Sequence, residues 1–329
     1  MKLRVAVLGA GNIASSHLKA LQGMERLEAV AIADLLAERA SKLAAEFGIR
    51  PYTDYREMVE KEKPALVIIA LPPYLHKESA VWCASQGCHL LLEKPMAMNV
   101  QECDDIIEAA EANGVSLLVG HTMHYLPINR LAKQVIGRTD FGELVMINET
   151  RHCHYFHNAR LDWFFKKDKS GGGIFMNLGS HSIDKMQWLT GSRIAKVKAA
   201  LSYKGSLGDI EAAGTALLET SLGVPASVSL SGHPGVPRFD CDFIFTRGVI
   251  RIDYGSRYGV WVSDSNEFKL IPVEERADPY RLQLIDMLDC MENGKEPECN
   301  GRYSKGIISA IAGVYRSAET GTEQSISAD

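Results

Sequence analysis

Val5-Ala6-Val7-Leu8-Gly9-Ala10-Gly11-Asn12-Ile13-Ala14 decides the reading of this chain. Four apolar residues form a short buried strand, and a G-x-G-x-x-A turn follows that opens a helix. Gly9 permits the tight turn, Gly11 lets a pyrophosphate approach the backbone, and Ala14 keeps helix and strand close. The helix N-terminus adds N–H donors and partial positive charge. The next strand ends at Asp34, about 20 residues on, where a carboxylate meets the ribose hydroxyls of an adenosine. The spacing therefore predicts a dinucleotide site and favours NAD over NADP. Leu35 follows where an arginine would have pointed to NADP, while Arg39, a turn further, leaves NADP open.

Outward from this turn, strands and helices alternate. Leu3–Leu8, Leu27–Ala33, Ala65–Ala70, His89–Leu92 and Ser116–Val119 read as buried strands. Leu36–Phe47, Leu75–Gln86 and Val100–Asn113 read as helices, the last with Asn99 as its N-cap. This alternation predicts an α/β domain with a doubly wound parallel sheet over residues 1–122. After residue 140 the rhythm changes to strand-like runs from Glu143 to Val262, joined by tight connections such as Thr246-Arg247-Gly248. One helix interrupts them at Phe175–Leu189, and Pro279–Met291 and Ser304–Ser317 close the chain. Residues 123–329 are thus expected to form an α+β domain with a large, open-faced, mainly antiparallel sheet.

The 329 residues are 46% hydrophobic and 23% charged, with net charge −5. No basic run favours nucleic acid, and no apolar stretch approaches the roughly 20 residues that span a bilayer. Met1-Lys2 leads straight into a strand, with no signal peptide read. Seven cysteines lack any Cys-x-x-Cys pattern, which suits a reduced, cytoplasmic protein. An open sheet that must cover an apolar face predicts a homodimer or homotetramer.

Two constellations carry chemistry. Glu93-Lys94-Pro95 follows the strand His89–Leu92, at the edge where parallel sheets bind ligands. An ammonium there can hydrogen-bond a substrate hydroxyl and exchange its proton; the alternative is a surface lysine paired with Glu93. Gly171-Gly172-Gly173 precedes a helix on which Asn177, His181 and Asp184 are spaced i, i+4, i+7 and share a face. His181 is either a site residue or a core histidine satisfied by Asp184. A third stretch, His152, His154 and His157, reads as a hydroxyl-rich substrate loop, a solvated loop or a metal site. No nearby carboxylate completes a ligand set, so no metal is expected.

In this order, the Gly9 turn, Glu93-Lys94-Pro95, the Gly171 triplet with His181-x-x-Asp184, and Tyr315-Arg316-Ser317-Ala318-Glu319-Thr320-Gly321 resemble one family from end to end. It is that of glucose–fructose oxidoreductase, inositol dehydrogenase and the rhizopine catabolism protein MocA. The resemblance implies an NAD(P)-dependent oxidoreductase of sugars, cyclitols or related polyols, with a Rossmann domain, a second domain with an open sheet and a substrate pocket between them. It implies catalytic roles for Lys94 and His181. Cofactor contacts fall on Gly9, Gly11, Asn12, Ile13, Asp34, Leu71, Pro72, His76, Glu93 and Lys94. Substrate contacts fall on Lys94, His124, His154, Trp163, Asn177 and His181. Asn177 stands where many inositol-dehydrogenase-like members carry aspartate, so it orients the neighbouring histidine without adding charge. His124 and Phe164 stand where arginines are usual. That loss points to a neutral substrate, unless Lys166, Lys167 and Lys169 compensate. Two other readings stay open: a non-redox lyase or glycosidase using tightly held NAD, and a non-catalytic dinucleotide or sugar sensor.

Overall fold

The computed structural model describes residues 2–138, 140–157, 160–273 and 277–327. They fall into two units, Met1–Thr122 with Asp278–Lys305, and Met123–Ala277 with Gly306–Asp329.

The first unit is built on six strands: β1 (Leu3–Leu8), β2 (Leu27–Ala33), β3 (Arg50–Tyr52), β4 (Leu66–Ile69), β5 (His89–Leu92) and β6 (Leu117–Val119). All neighbours pair in parallel, in the order β3-β2-β1-β4-β5-β6. Helices α1 (Asn12–Leu21), α2 (Ala37–Phe47), α3 (Tyr55–Glu62), α4 (His76–Ser85) and α5 (Val100–Ala112) make the crossovers. Asn99 caps α5 by accepting from the Glu102 N–H at 3.0 Å, as its sequence position predicts. The strand order reverses between β1 and β4, so the crevice for a ligand opens beyond Leu8 and Ile69. Leu8, Ile32, Ile68 and Leu91 are fully buried, each contributing about 1.5–3 kcal/mol.

One boundary differs from the sequence reading, which assigned everything after residue 122 to the second domain. Asp278–Lys305, containing α9 (Pro279–Asn293) and the start of α10 (Gly301–Thr320), belongs to the first unit. Leu284 and Met287 join Val5, Val7 and Leu18 in its core. The Val119 N–H donates to the Cys299 carbonyl at 2.8 Å. Helical periodicity marks an apolar face without saying which sheet it covers.

The second unit holds nine strands: β7 (Leu144–His152), β8 (Ile194–Ser202), β9 (Ala213–Thr220), β10 (Pro225–Ser231), β11 (Arg238–Phe245), β12 (Gly248–Asp253), β13 (Gly259–Ser263), β14 (Lys269–Ile271) and β15 (Gln324–Ser325). Their order is β14-β13-β12-β11-β7-β10-β9-β8-β15. Every pair is antiparallel except β7–β10. Helices α6 (Pro127–Ile136) and α8 (Ser180–Thr190), with the short turn α7 (Lys167–Ser170), belong to this unit. Ile147, Val228, Phe243, Ile250 and Leu218 alternate inward. The opposite face is mostly polar: Lys196 pairs Glu219, Arg251 pairs Asp242, and the Ser227 hydroxyl donates to Asn148. Leu217 and Met146 are the large apolar side chains exposed at its centre.

Among the described residues no helix is long and apolar enough to cross a membrane, and none of the seven cysteines forms a disulfide.

Candidate active site

In the first unit the glycine turn is set by sterics. Gly9 has φ +92°, and a Cβ there would lie 2.4 Å from the Ala70 carbonyl oxygen, so only glycine fits. At Gly11 a Cβ would meet nothing within 4 Å. The residue heads α1 with no side-chain cap and no acidic group in the first turn. Open space, uncapped N–H donors at Asn12 and Ile13, and a helix N-terminus suit a pyrophosphate. Asp34 closes the turn: its Oδ2 accepts from the Ala10 N–H at 2.8 Å and its Oδ1 from the Leu36 N–H at 2.9 Å. The carboxylate stays partly exposed and keeps lone pairs for ribose hydroxyls. Leu71 and Pro72, half-buried, follow β4 across the crevice.

His76, expected against the cofactor, has both ring nitrogens on backbone carbonyls. It is fully buried. Its Nε2 lies 2.8 Å from the Leu71 carbonyl oxygen, and its Nδ1 lies 3.0 Å from that of Pro95. Burial holds its imidazole below the ordinary histidine range. His76 is a brace that ties the Leu71 loop to the Pro95 turn.

Glu93 is 8% exposed and faces inward. Its Oε1 lies 2.9 Å from His17 Nε2, and its Oε2 accepts from the Lys94 N–H at 3.2 Å. Gly120 makes room for it, since a Cβ there would come within 3.0 Å of the carboxylate carbon. His17, buried on α1, meets Tyr280 of α9 edge-on at 5.0 Å. The sequence reading missed both: a helix-interior histidine and a tyrosine some 260 residues later carry no local signal. Together they fix the carboxylate beside Lys94, which is half-buried and precedes the cis peptide to Pro95.

In the second unit the glycine triplet serves packing. A Cβ on Gly172 would lie 1.9 Å from Tyr315 Oη, and one on Gly173 would lie 2.2 Å from the Glu211 carbonyl oxygen. The Glu211 carboxylate accepts from the N–H groups of Gly173 and Phe175 at 2.8 Å, and from the Tyr315 hydroxyl at 2.9 Å. It thereby caps the incoming helical turn. Burial raises the pKa of Glu211. The first turn, Phe175–Gly179, is a π-turn that runs into α8, a distortion frequent at functional sites.

The polar face expected on this helix is divided. The Asn177 amide donates to the Tyr155 hydroxyl at 2.9 Å, and His181 is half-buried. Asp184 is fully buried, and its Oδ1 lies 2.7 Å from His124 Nε2. His124, expected at the substrate, is 1% exposed and stacks on Trp188 at 4.4 Å. Asp184 thus serves His124 inside the unit. His154 is exposed with its ring 5.8 Å from that of His157, and Trp163 stacks on Phe164 at 3.7 Å. Among the described residues no three His, Cys, Asp or Glu side chains form a metal-binding group.

Comparisons agree with this architecture. Residues 3–121 match the oxidoreductase family with an NAD-binding Rossmann fold, and residues 129–251 match the GFO/IDH/MocA C-terminal domain. The chain is 28% identical over 186 residues to 2,7-anhydro-N-acetylneuraminate hydratase of Mediterraneibacter gnavus, covering 56% of this chain and 49% of that protein. It is 28% identical over 210 residues to the rhizopine catabolism protein MocA of Rhizobium meliloti, covering 64% of each. The matched stretches thus span about half to two thirds of these relatives. A levoglucosan dehydrogenase solved with NADH superposes with a TM-score of 0.90 at 20% identity, over 99% of this chain and 100% of that one. GenD2 of gentamicin A biosynthesis, solved with NAD, gives 0.88 at 23% identity, over 99% and 97%. With both domain descriptions matched in order, the chain belongs to the GFO/IDH/MocA oxidoreductase family, whose first domain is an NAD-binding Rossmann fold.

Proposed function

We propose that this chain is an NAD-dependent dehydrogenase acting on a CH–OH carbon of a sugar, cyclitol or related polyol. The observation that carries the reading is the pairing, on one sheet edge, of an open dinucleotide turn after β1 with Lys94 after β5. The strand order puts two strand spacings, ~10 Å, between them. Bound along this edge, NAD supplies the hydride acceptor. Lys94 holds the substrate hydroxyl and takes its proton as the C–H bond breaks. His17 and Glu93 fix the backbone that carries it. His181 and Asn177 hold the substrate's hydroxyls, with Asn177 oriented by Tyr155. His154 and Trp163 contribute to the same recognition. Asp34 favours NAD because its carboxylate repels a 2′-phosphate, and the exposed Leu35 beside it offers no counter-charge.

A second reading has one specific observation behind it, the similarity to a hydratase. There NAD would be retained and no net redox would occur. Purified protein incubated with NAD or NADP against sugars, inositols and sugar acids separates the two. Net NADH absorbance at 340 nm supports the dehydrogenase. Substrate consumption without net NADH supports the non-redox enzyme. NAD binding without conversion of any compound leaves a sensor. The reading further implies a cytoplasmic protein that works as a homodimer or homotetramer, which sedimentation would check.

A further inference from the structure

We infer that the substrate carries an oxyanion, a carboxylate or a phosphate, held by Arg151 and Arg160 of the second unit. The inference rests on the dehydrogenase reading and names its substrate class.

Both guanidiniums are placed by aromatic rings. Arg151 lies 4.3 Å from the centre of the Phe239 ring. Arg160 lies 3.8 Å from that of Tyr155 and 4.9 Å from that of Phe164. Stacking covers a guanidinium's flat face and leaves its in-plane N–H groups for a partner. Among the described residues neither arginine forms an ion pair or a side-chain hydrogen bond to supply that partner. The nearby carboxylates are committed elsewhere. Glu149 pairs with Lys185 at 2.6 Å and accepts from the Ser182 hydroxyl, and Glu211 is occupied by the three donors already described. Arg160 Nε is a buried donor with no partner, a costly state unless a ligand or water serves it. Both residues are half-buried, so neither is sealed from a ligand. Burial lowers the pKa of Arg151; the neighbouring Glu149 charge opposes this, and the charge of Arg160 adds to the lowering. An anion between the two arginines would offset that lowering.

The position is that of the proposed site. Along the helix, Asn177 bonds Tyr155 and Lys185 pairs Glu149. His181, four residues from each, therefore stands between these contacts. Strand alternation puts Arg151 on the same side of β7 as Glu149, and Phe239, its cross-strand partner, also lies under Lys185 at 4.7 Å. Arg151 is thus at the level of His181, and Arg160 covers the ring whose hydroxyl orients Asn177. The loss of arginines at His124 and Phe164 made a neutral substrate the expectation from sequence. Arg151 and Arg160 are two further arginines, at other positions of the second unit.

The test compares acids with their neutral parents: galacturonate with galactose, gluconate with glucitol, and glucose 6-phosphate with glucose, reading NADH at 340 nm. One acid should exceed its parent in kcat/KM on the order of 100-fold, the size expected of charge-assisted bidentate hydrogen bonds. Whether it is a sugar acid or the phosphate identifies the oxyanion. Arg160→Gln should shrink that preference at least tenfold, mainly through KM, and Arg160→Lys should restore part of it. Equal use of acid and parent, a preference for the neutral form, or a preference unchanged in Arg160→Gln would overturn the inference while leaving the dehydrogenase standing. Absence of NADH with every compound would defeat the dehydrogenase reading. Calorimetry on the NAD-loaded protein then decides the anion site. Binding of an acid but not its parent, weakened in Arg160→Gln, supports it, and equal or absent binding of both overturns it.

Discussion

Two glycine-rich turns introduce helices in this chain, and they use glycine for opposite ends. At Gly11 the absent side chain leaves space that the protein does not fill. At Gly172 and Gly173 the space is taken by Tyr315 and Glu211. The first turn is an opening for a ligand, and the second is a joint between the helix leading to His181, strand β9's approach and α10. A missing Cβ marks close approach without telling whether the visitor is a cofactor or the protein itself. Only the surrounding structure distinguishes them.

Substitutions can break this comparison. Gly172→Ala should be the most damaging, because the new methyl meets the hydroxyl of Tyr315, which a buried carboxylate holds. A loss of about 3 kcal/mol or more is expected in denaturant unfolding, and wild-type stability would show that the joint yields easily. Glu211→Gln tests the same joint electrostatically. It should cost about 2 kcal/mol, since an amide cannot accept all three hydrogen bonds. It should also change the pH dependence. Burial raises the folded-state pKa of Glu211, so the folded state binds a proton that the unfolded chain has already released. This group's contribution therefore falls as pH rises from the ordinary carboxyl value, about 4.3. That slope should vanish in the glutamine variant.

Gly11→Ala should do the reverse of Gly172→Ala. With nothing within 4 Å, stability without cofactor should stay within about 0.5 kcal/mol of the parent. The Kd for NAD, measured by calorimetry, should rise on the order of tenfold or more. Loss of stability with unchanged NAD affinity would invert the assignment of the two turns.

The smallest effect concerns His76. Its pKa is lowered by burial, so its contribution is complete above about pH 6.5 and is lost as pH falls below that value. His76→Asn should flatten acid destabilisation by less than about 1.4 kcal/mol per pH unit, the limit for one proton. An unchanged acid limb would show that His76 titrates as an ordinary exposed histidine.

What was legible in sequence follows a physical line. Buried parallel strands are short apolar runs, and β1, β2, β4, β5 and β6 were all readable. β3, whose three residues Arg50–Tyr52 include a proline, was not, nor were α3 and α6. The dinucleotide turn was readable because its geometry is local. Lys94 stood out for the same reason, at the end of a strand. Contacts set by distant chain were not legible. They include Glu93 turning to His17, Asp184 turning to His124, Glu211 capping the helix after the glycine triplet, and Asp278–Lys305 joining the first unit. Helical spacing put Asn177, His181 and Asp184 on one face. The structure adds a π-turn at Asn177 and a buried histidine, His124, as a partner of Asp184, neither of which the spacing shows.

The most direct test of the account is NADH formation at 340 nm by the wild-type protein and by Lys94→Ala across the sugar, cyclitol and sugar-acid panel. The wild type should turn over with NAD, and kcat in the variant should be about 10²–10⁴-fold lower, with NAD affinity nearly intact. Turnover unchanged in Lys94→Ala would contradict it.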